Sequence, residues 1–136
     1  MRILLCGGSW TTSRALVYNV LDLVSDEVDV TGVVVPLQYG VDRWATQWGK
    51  KTNVPVWQIP IPTGTRKRER GAVRRDDEMF ARTPGMVVAI GKGSGSKRIV
   101  SRAKAAGIPT ATFDEEMGAL IYDGLALLML QDRGPV

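Results

Sequence analysis

The sequence predicts a three-layer α/β domain in which a mainly parallel sheet of about five strands lies between helices. Three observations carry that expectation. Short β-branched apolar runs alternate with longer helical patterns, which is how a parallel α/β sheet reads. The 15 glycines cluster where apolar runs end. A length of 136 residues with 44% apolar and 24% charged content suits one compact domain with one core. No internal repeat or low-complexity tract interrupts the pattern.

Taken in order, residues 2–6 read as a buried strand ending at Gly7-Gly8. Residues 11–24 follow as a helix, with Ala15, Leu16, Val20, Leu23 and Val24 on one face. Asp22, Asp26, Glu27 and Asp29 make an acidic, solvated exit. The β-branched run over residues 30–35 is the second strand. Residues 40–52 form a second helix, with Val41, Trp44, Ala45 and Trp48 at helical spacing. Trp44 and Trp48 lie one turn apart, which favours core packing over ligand stacking. Residues 54–59 are the third strand. A Pro/Gly/Thr loop over 60–70 then turns into Arg66-Lys67-Arg68-Glu69-Arg70, a composition break too short to separate domains.

Residues 72–82 read as a third helix stopped by Pro84, and 86–90 as a fourth buried strand. A glycine-serine turn over 91–96 leads to a helix over 97–106, closed by Gly107. Residues 108–113, led by Pro109, are the fifth strand. In the tail, residues 119–122 and 125–130 flank Asp123-Gly124, a two-residue hairpin signal. Leu, Ala and Met there favour helix, but a hairpin or added strands is the preferred expectation. The chain thus divides into a domain over 1–113 and a C-terminal extension over 114–136. The extension's apolar character suggests a subunit interface, and with it a homodimer.

Composition narrows the chemistry. There is no histidine, which excludes Ser-His-Asp and Cys-His catalysis. With a single cysteine it also leaves no zinc site, so no metal is expected. Acid–base chemistry is left to carboxylates, Lys, Tyr or Cys6. The lone Cys6 precludes an intrachain disulfide and points to a reducing, cytoplasmic setting. The apolar run before Cys6 is too short for a signal peptide, and no stretch nears the roughly 20 apolar residues that span a membrane. A net charge of +4 points to anionic partners: nucleotides, nucleic acid or acidic proteins.

In an open parallel sheet, ligands bind beyond the carboxyl ends of the strands, where the strand order reverses. Two turns would stand there: Cys6-Gly7-Gly8-Ser9, and Gly91-Lys92-Gly93-Ser94-Gly95-Ser96. Glycines let the backbone approach phosphate, and the following helix offers free N–H groups and the positive end of its dipole. Ser94 and Ser96 add hydroxyl donors. The alternative is that these glycines only make tight turns. Residues 91–98 imitate a Walker A loop, but Ser96 replaces its second glycine and Arg98 its Ser/Thr metal ligand. Neither turn has the G-x-G-x-x-G spacing, so ATP hydrolysis, NAD chemistry and a bound cofactor are not expected. The basic run over 66–75 reads as a solvated face, or as a ligand rim. In the second reading residues 66–70 are a mobile, anion-attracting edge. Arg74 and Arg75, in the first turn of a helix, then hold phosphate through their guanidinium forks.

One ordered set of motifs goes further. Strand-Cys6-Gly7-Gly8 is followed by Gly40-Val41-Asp42-Arg43 opening a helix, then by Arg70-Gly71-Ala72-Val73-Arg74-Arg75. Strand-Gly91-Lys92-Gly93-Ser94-Gly95-Ser96 and Ala105-Ala106-Gly107-Ile108-Pro109 complete it. Over residues 1–113 this order resembles the YspA-like branch of the SLOG superfamily, which groups the DNA-processing protein of natural transformation with the LOG nucleotide hydrolases. The resemblance implies a Rossmann-like domain that binds nucleotides or nucleotide-derived signals, often as a dimer. It implies that Gly7, Gly8 and Ser9 lie under the ligand. Gly40, Asp42 and Arg43 match the family's Gly-Ala-Asp-Arg, Arg74 the arginine of its Pro-Ile-Arg-Asn, and Gly93, Gly95 and Ser96 its phosphate loop.

The departures are informative. Pro36-Leu37-Gln38-Tyr39-Gly40 replaces the family's Gly-Gly-Ala-Arg-Gly, which leaves Tyr39, with Trp10, as a candidate for base stacking. Arg98 occupies the position of the LOG catalytic glutamate. A cation there opposes an oxocarbenium-like transition state and favours holding an anion. Asp42 remains the candidate replacement acid or base, against a structural role at the helix start. The leading expectation is therefore a module that senses or sequesters a phosphorylated nucleotide-derived small molecule. A LOG-type N-glycosidic hydrolase is the alternative. Single-stranded nucleic-acid binding through residues 66–75 and Trp10 or Tyr39 comes third.

Overall fold

The computed structural model describes residues 1–7, 13–38, 40–62, 68–91 and 94–131. In chain order the elements are β1 (Arg2–Gly7), α1 (Arg14–Glu27), β2 (Gly32–Pro36), α2 (Val41–Thr52), β3 (Val56–Ile59) and α3 (Arg68–Ala81). Then come β4 (Met86–Ile90), α4 (Ser94–Ala105), β5 (Thr110–Asp114), β6 (Ala119–Tyr122) and α5 (Gly124–Gln131). The strands form one sheet in the order β3-β2-β1-β4-β5-β6. All neighbours are parallel except β5 and β6.

Period-two alternation along β1 sorts the layers. Ile3 and Leu5 face a core shared with α1, α2 and α5, through Val17, Val20, Val41, Trp48 and Ala126. Leu4 and Cys6 face the opposite core, with Met79 of α3 and Ile99 and Ala103 of α4. Helices therefore cover both faces, and every residue of β2 and β4 is buried, as their unbroken apolar runs require. Each Leu, Ile or Val so enclosed contributes roughly 1.5–3 kcal/mol. The central strands consequently hold the register.

Local chemistry sets the helix starts. The Ser13 hydroxyl accepts from the Leu16 N–H at 3.1 Å and caps α1. The buried face of α1 is Val17, Val20, Leu21 and Val24; Ala15, expected on that face, is exposed. Trp48 is 3% exposed in the core, and its indole N–H donates to Asp22 at 2.9 Å. Trp44 packs half-buried beside it.

Three expectations are corrected. Helix α3 begins at Arg68, so Arg74 and Arg75 lie in its second turn instead of its first. The start of α3 is Arg68-Glu69-Arg70, good helix formers whose charge reads misleadingly as loop. Helix α4 begins at Ser94, so the turn after β4 is shorter than expected. In the tail, Asp123-Gly124 is a helix start and not a hairpin turn. Asp123 Oδ1 accepts from the Ala126 N–H at 2.7 Å, and Oδ2 accepts from the Thr110 hydroxyl at 2.8 Å. The hairpin instead joins β5 to β6. Asp114 Oδ1 accepts from the N–H groups of Glu116 and Met117, at 2.9 and 3.1 Å, and pins that turn.

Candidate functional site

The sheet order reverses between β1 and β4. The chain leaves β1 towards β2 and leaves β4 towards β5, so the two exits diverge over a crevice at the carboxyl edge. Gly7 ends β1 at φ +115° and pairs with Ile90 of β4. A Cβ on Gly7 would lie 1.8 Å from the Ile90 carbonyl oxygen, so only glycine fits. Gly91, at φ +86°, turns the chain out of β4 with open space around it. The floor of the crevice is thus main chain. Its wall includes the N-terminus of α4, whose first turn has no acidic residue to offset the helix dipole.

A cluster of charge stands behind this wall. Asp76 of α3 is 2% exposed and takes a two-pronged bond from Arg98 of α4, Nε to Oδ2 at 2.6 Å and Nη2 to Oδ1 at 3.3 Å. That hydrogen bond is the main reason the Arg98 guanidinium is held above its usual value. Arg75, the residue before Asp76, is 5% exposed. Burial pushes its guanidinium below the usual value; Asp76 and Asp42 draw it back up, and Arg98 opposes them. Its Nε has no hydrogen-bond partner among the described residues. Cys6 is enclosed beside them and hydrogen-bonds Ser96. Burial dominates there and pushes the thiol up to about 12, so Cys6 is neither nucleophile nor base near neutral pH.

Asp42 is buried at the start of α2. Its Oδ1 accepts from the Gly40 N–H at 2.9 Å and the Gln38 N–H at 3.3 Å. The carboxylate thereby closes the turn after β2 that leads into α2, where Gly40 is the N-cap and no side chain caps the helix. Arg43 is exposed and stacks its guanidinium 4.7 Å from the Trp44 ring centroid. Arg74 is exposed on α3. Gly95 and Ser96 lie in the first turn of α4 behind Ser94, and Ser96 is 6% exposed. Gly8, Ser9, Trp10, Tyr39 and Gly93 lie outside the described residues.

The structure therefore brings Gly7, Asp42 and Ser96 to one edge of the sheet, together with Arg75, Asp76 and Arg98. Sequence reasoning missed Asp76. Its signal was present: Gly71, Arg75, Asp76 and Met79 recur at helical spacing as one buried stripe, with two charges where apolar residues belong. Next to this cluster a cleft of about 300 Å³ runs past Gly91, Ser96, Val100 and Thr112. A second, of about 400 Å³, opens past Gly91, Phe113 and Asp114. Among the described residues no group of three or more acidic or Cys side chains is placed to hold a metal ion, and no helix is long and apolar enough to cross a membrane.

The strand order, the helices on both faces and the crevice at the β1/β4 reversal define a Rossmann-like three-layer α/β protein. No protein-family model matches the chain, and no curated protein matches it.

Proposed function

We propose that the crevice between the ends of β1 and β4 binds a phosphorylated nucleotide-type ligand and holds it intact. The observation that carries this reading is the uncompensated α4 N-terminus over a main-chain floor, with the buried Arg75 in the charged cluster of Asp76, Arg98 and Asp42 at the same edge of the sheet. Holding is favoured over cleavage because the acid–base candidates at the β1/β4 crevice and in the charged cluster behind it are already engaged. Asp42 caps a turn, Asp76 is paired with Arg98, and the Cys6 thiol stays protonated. The resemblance to the SLOG superfamily supports the same ligand class, with Arg98 standing at the hydrolases' glutamate position. The assay is thermal shift and calorimetry with adenosine monophosphate, ADP-ribose and cyclic nucleotides, then chromatography of the ligand after long incubation. A ligand at a hundred times its Kd should stabilise by about 2.7 kcal/mol and raise Tm by several degrees. No shift with any phosphorylated nucleotide refutes the reading, and ligand breakdown refutes holding.

The partner assigned to the tail is a second copy. Leu125, Leu127 and Leu128 of α5 are 44%, 47% and 64% exposed, beside Ile121 of β6 at 50%. Light scattering should then report a dimer that Leu128→Glu dissociates; a monomeric wild type refutes this assignment. A cytoplasmic setting fits the single reduced Cys6.

A further inference from the structure

We infer that Arg75, and not Arg74 or Arg98, is the side chain that grips the ligand's phosphate, donating from its Nε–H. The inference rests on the crevice reading above and names the residue and the charge class that the crevice selects.

Buried polar side chains are nearly always satisfied, because an unmade hydrogen bond to a charged group is costly. Arg75 Nε is the one buried side-chain nitrogen or oxygen without a partner among the described residues. The nearby carboxylates are bonded to other donors and not to this Nε. Both Asp76 oxygens accept from Arg98, and Asp42 Oδ1 accepts from two backbone N–H groups. Arg98 has spent its Nε and one Nη on Asp76, so its charge is already paired. Arg74 is exposed, where a long side chain is neither fixed nor desolvated.

Arg75 therefore combines a fixed position, a low-dielectric setting and an unspent donor. The group that completes it must be an anion with an accepting oxygen that also suits the N-terminus of α4. A phosphate monoester or diester oxygen has that chemistry, whether it belongs to a nucleotide or to free inorganic phosphate. Asp76 acts here as a positioning residue, because its pairing with Arg98 keeps it from closing on Arg75.

The test compares wild type, Arg75→Met, Arg75→Lys and Arg74→Met by calorimetry and thermal shift. The probes are adenosine monophosphate, inorganic phosphate and adenosine. Wild type should bind adenosine monophosphate and bind adenosine more weakly. Loss of a charged hydrogen bond should weaken adenosine monophosphate binding roughly 10- to 100-fold in Arg75→Met. Arg75→Lys keeps the charge but lacks the Nε donor, and should lose at least about tenfold. Arg74→Met should stay within about twofold. Inorganic phosphate should follow the same ranking if the phosphate alone is gripped; equal phosphate binding in wild type and Arg75→Lys refutes the assignment.

Without ligand, Arg75→Met should have a Tm equal to or above wild type, because it removes a buried Nε–H that lacks an acceptor. A lower ligand-free Tm, or failure to fold, makes Arg75 a core residue and overturns the inference. Wild-type binding with unchanged affinity in both Arg75 variants overturns it while leaving the crevice reading intact. A wild type that binds no phosphorylated probe overturns the crevice reading itself.

Discussion

Alanine at Gly7 and alanine at Gly91 impose the same kind of backbone strain but differ in what the new methyl meets. Both glycines have φ in the left-handed region, +115° and +86°. An L side chain there costs roughly 1–2 kcal/mol. At Gly91 nothing lies within 4 Å of the added Cβ, so that strain is the whole effect. At Gly7 the Cβ falls 1.8 Å from the Ile90 carbonyl oxygen and 2.7 Å from its carbon. Ordinary contact then requires β1 and β4 to separate by more than about an ångström at a paired register position. Losing that pairing and the packing of Cys6 and Ala89 beneath it should bring the total to about 3–5 kcal/mol. That is a large share of a domain's typical 5–15 kcal/mol. Urea denaturation followed by circular dichroism measures both variants. Gly7→Ala should unfold at far lower urea than Gly91→Ala with a similar m-value. Equal midpoints would refute the close approach, and with it the main-chain floor of the crevice.

Asp42→Ala should cost about 1–2 kcal/mol in the same assay, since two backbone N–H groups lose their acceptor, while Asp42→Asn should retain most of it. Arg98→Ala should cost about 2–3 kcal/mol because it strands the buried Asp76 carboxylate, whereas Arg102→Ala, whose pair with Asp77 is 40% and 58% exposed, should cost about 1 or less; equal losses would contradict this contrast. Asp123 should make the domain acid-sensitive. Desolvation raises its pKa, but the N–H of Ala126, the hydroxyl and N–H of Thr110 and nearby Lys104 outweigh it and hold the carboxyl below its usual 3.8. A depressed folded-state pKa means the stabilisation is complete above about 4 and is lost as pH falls through the lower folded value. Asp123→Asn should flatten that part of the stability–pH curve, measured from pH 5 to 2.

What could be read in advance followed the range over which each signal acts. The strand over 86–90 was legible to the residue, because a short apolar run between Pro84-Gly85 and Gly91 has few alternatives. Residues 40–52 were nearly so, because Trp44 and Trp48 share a face. Asp123-Gly124 misled because Asp serves a turn and a helix cap equally well, and Thr110 from another strand decides between them. At the site, glycine turns and the Asp42-Arg43 start were visible as local patterns. The contrast between exposed Arg74 and buried Arg75 was not, since a one-residue step turns a helical side chain by about 100° from solvent to core. Nor was the Asp76–Arg98 bond, whose partners stand 22 residues apart.

The meeting of Gly7 with Ile90 has a consequence for how a crevice of this build, if it binds the proposed ligand, can change its preferences. Main-chain atoms offer the same surface whatever the sequence, so the floor cannot be edited to tell one ligand from another. On the proposed ligand-binding reading, discrimination falls to side chains delivered by α2 from one face of the sheet and by α3 and α4 from the other. A new selectivity can therefore be installed by exchanging helix residues in small numbers, with the strands left as they are. The same division sets a limit: any ligand that needs the floor itself to give way is closed to this fold.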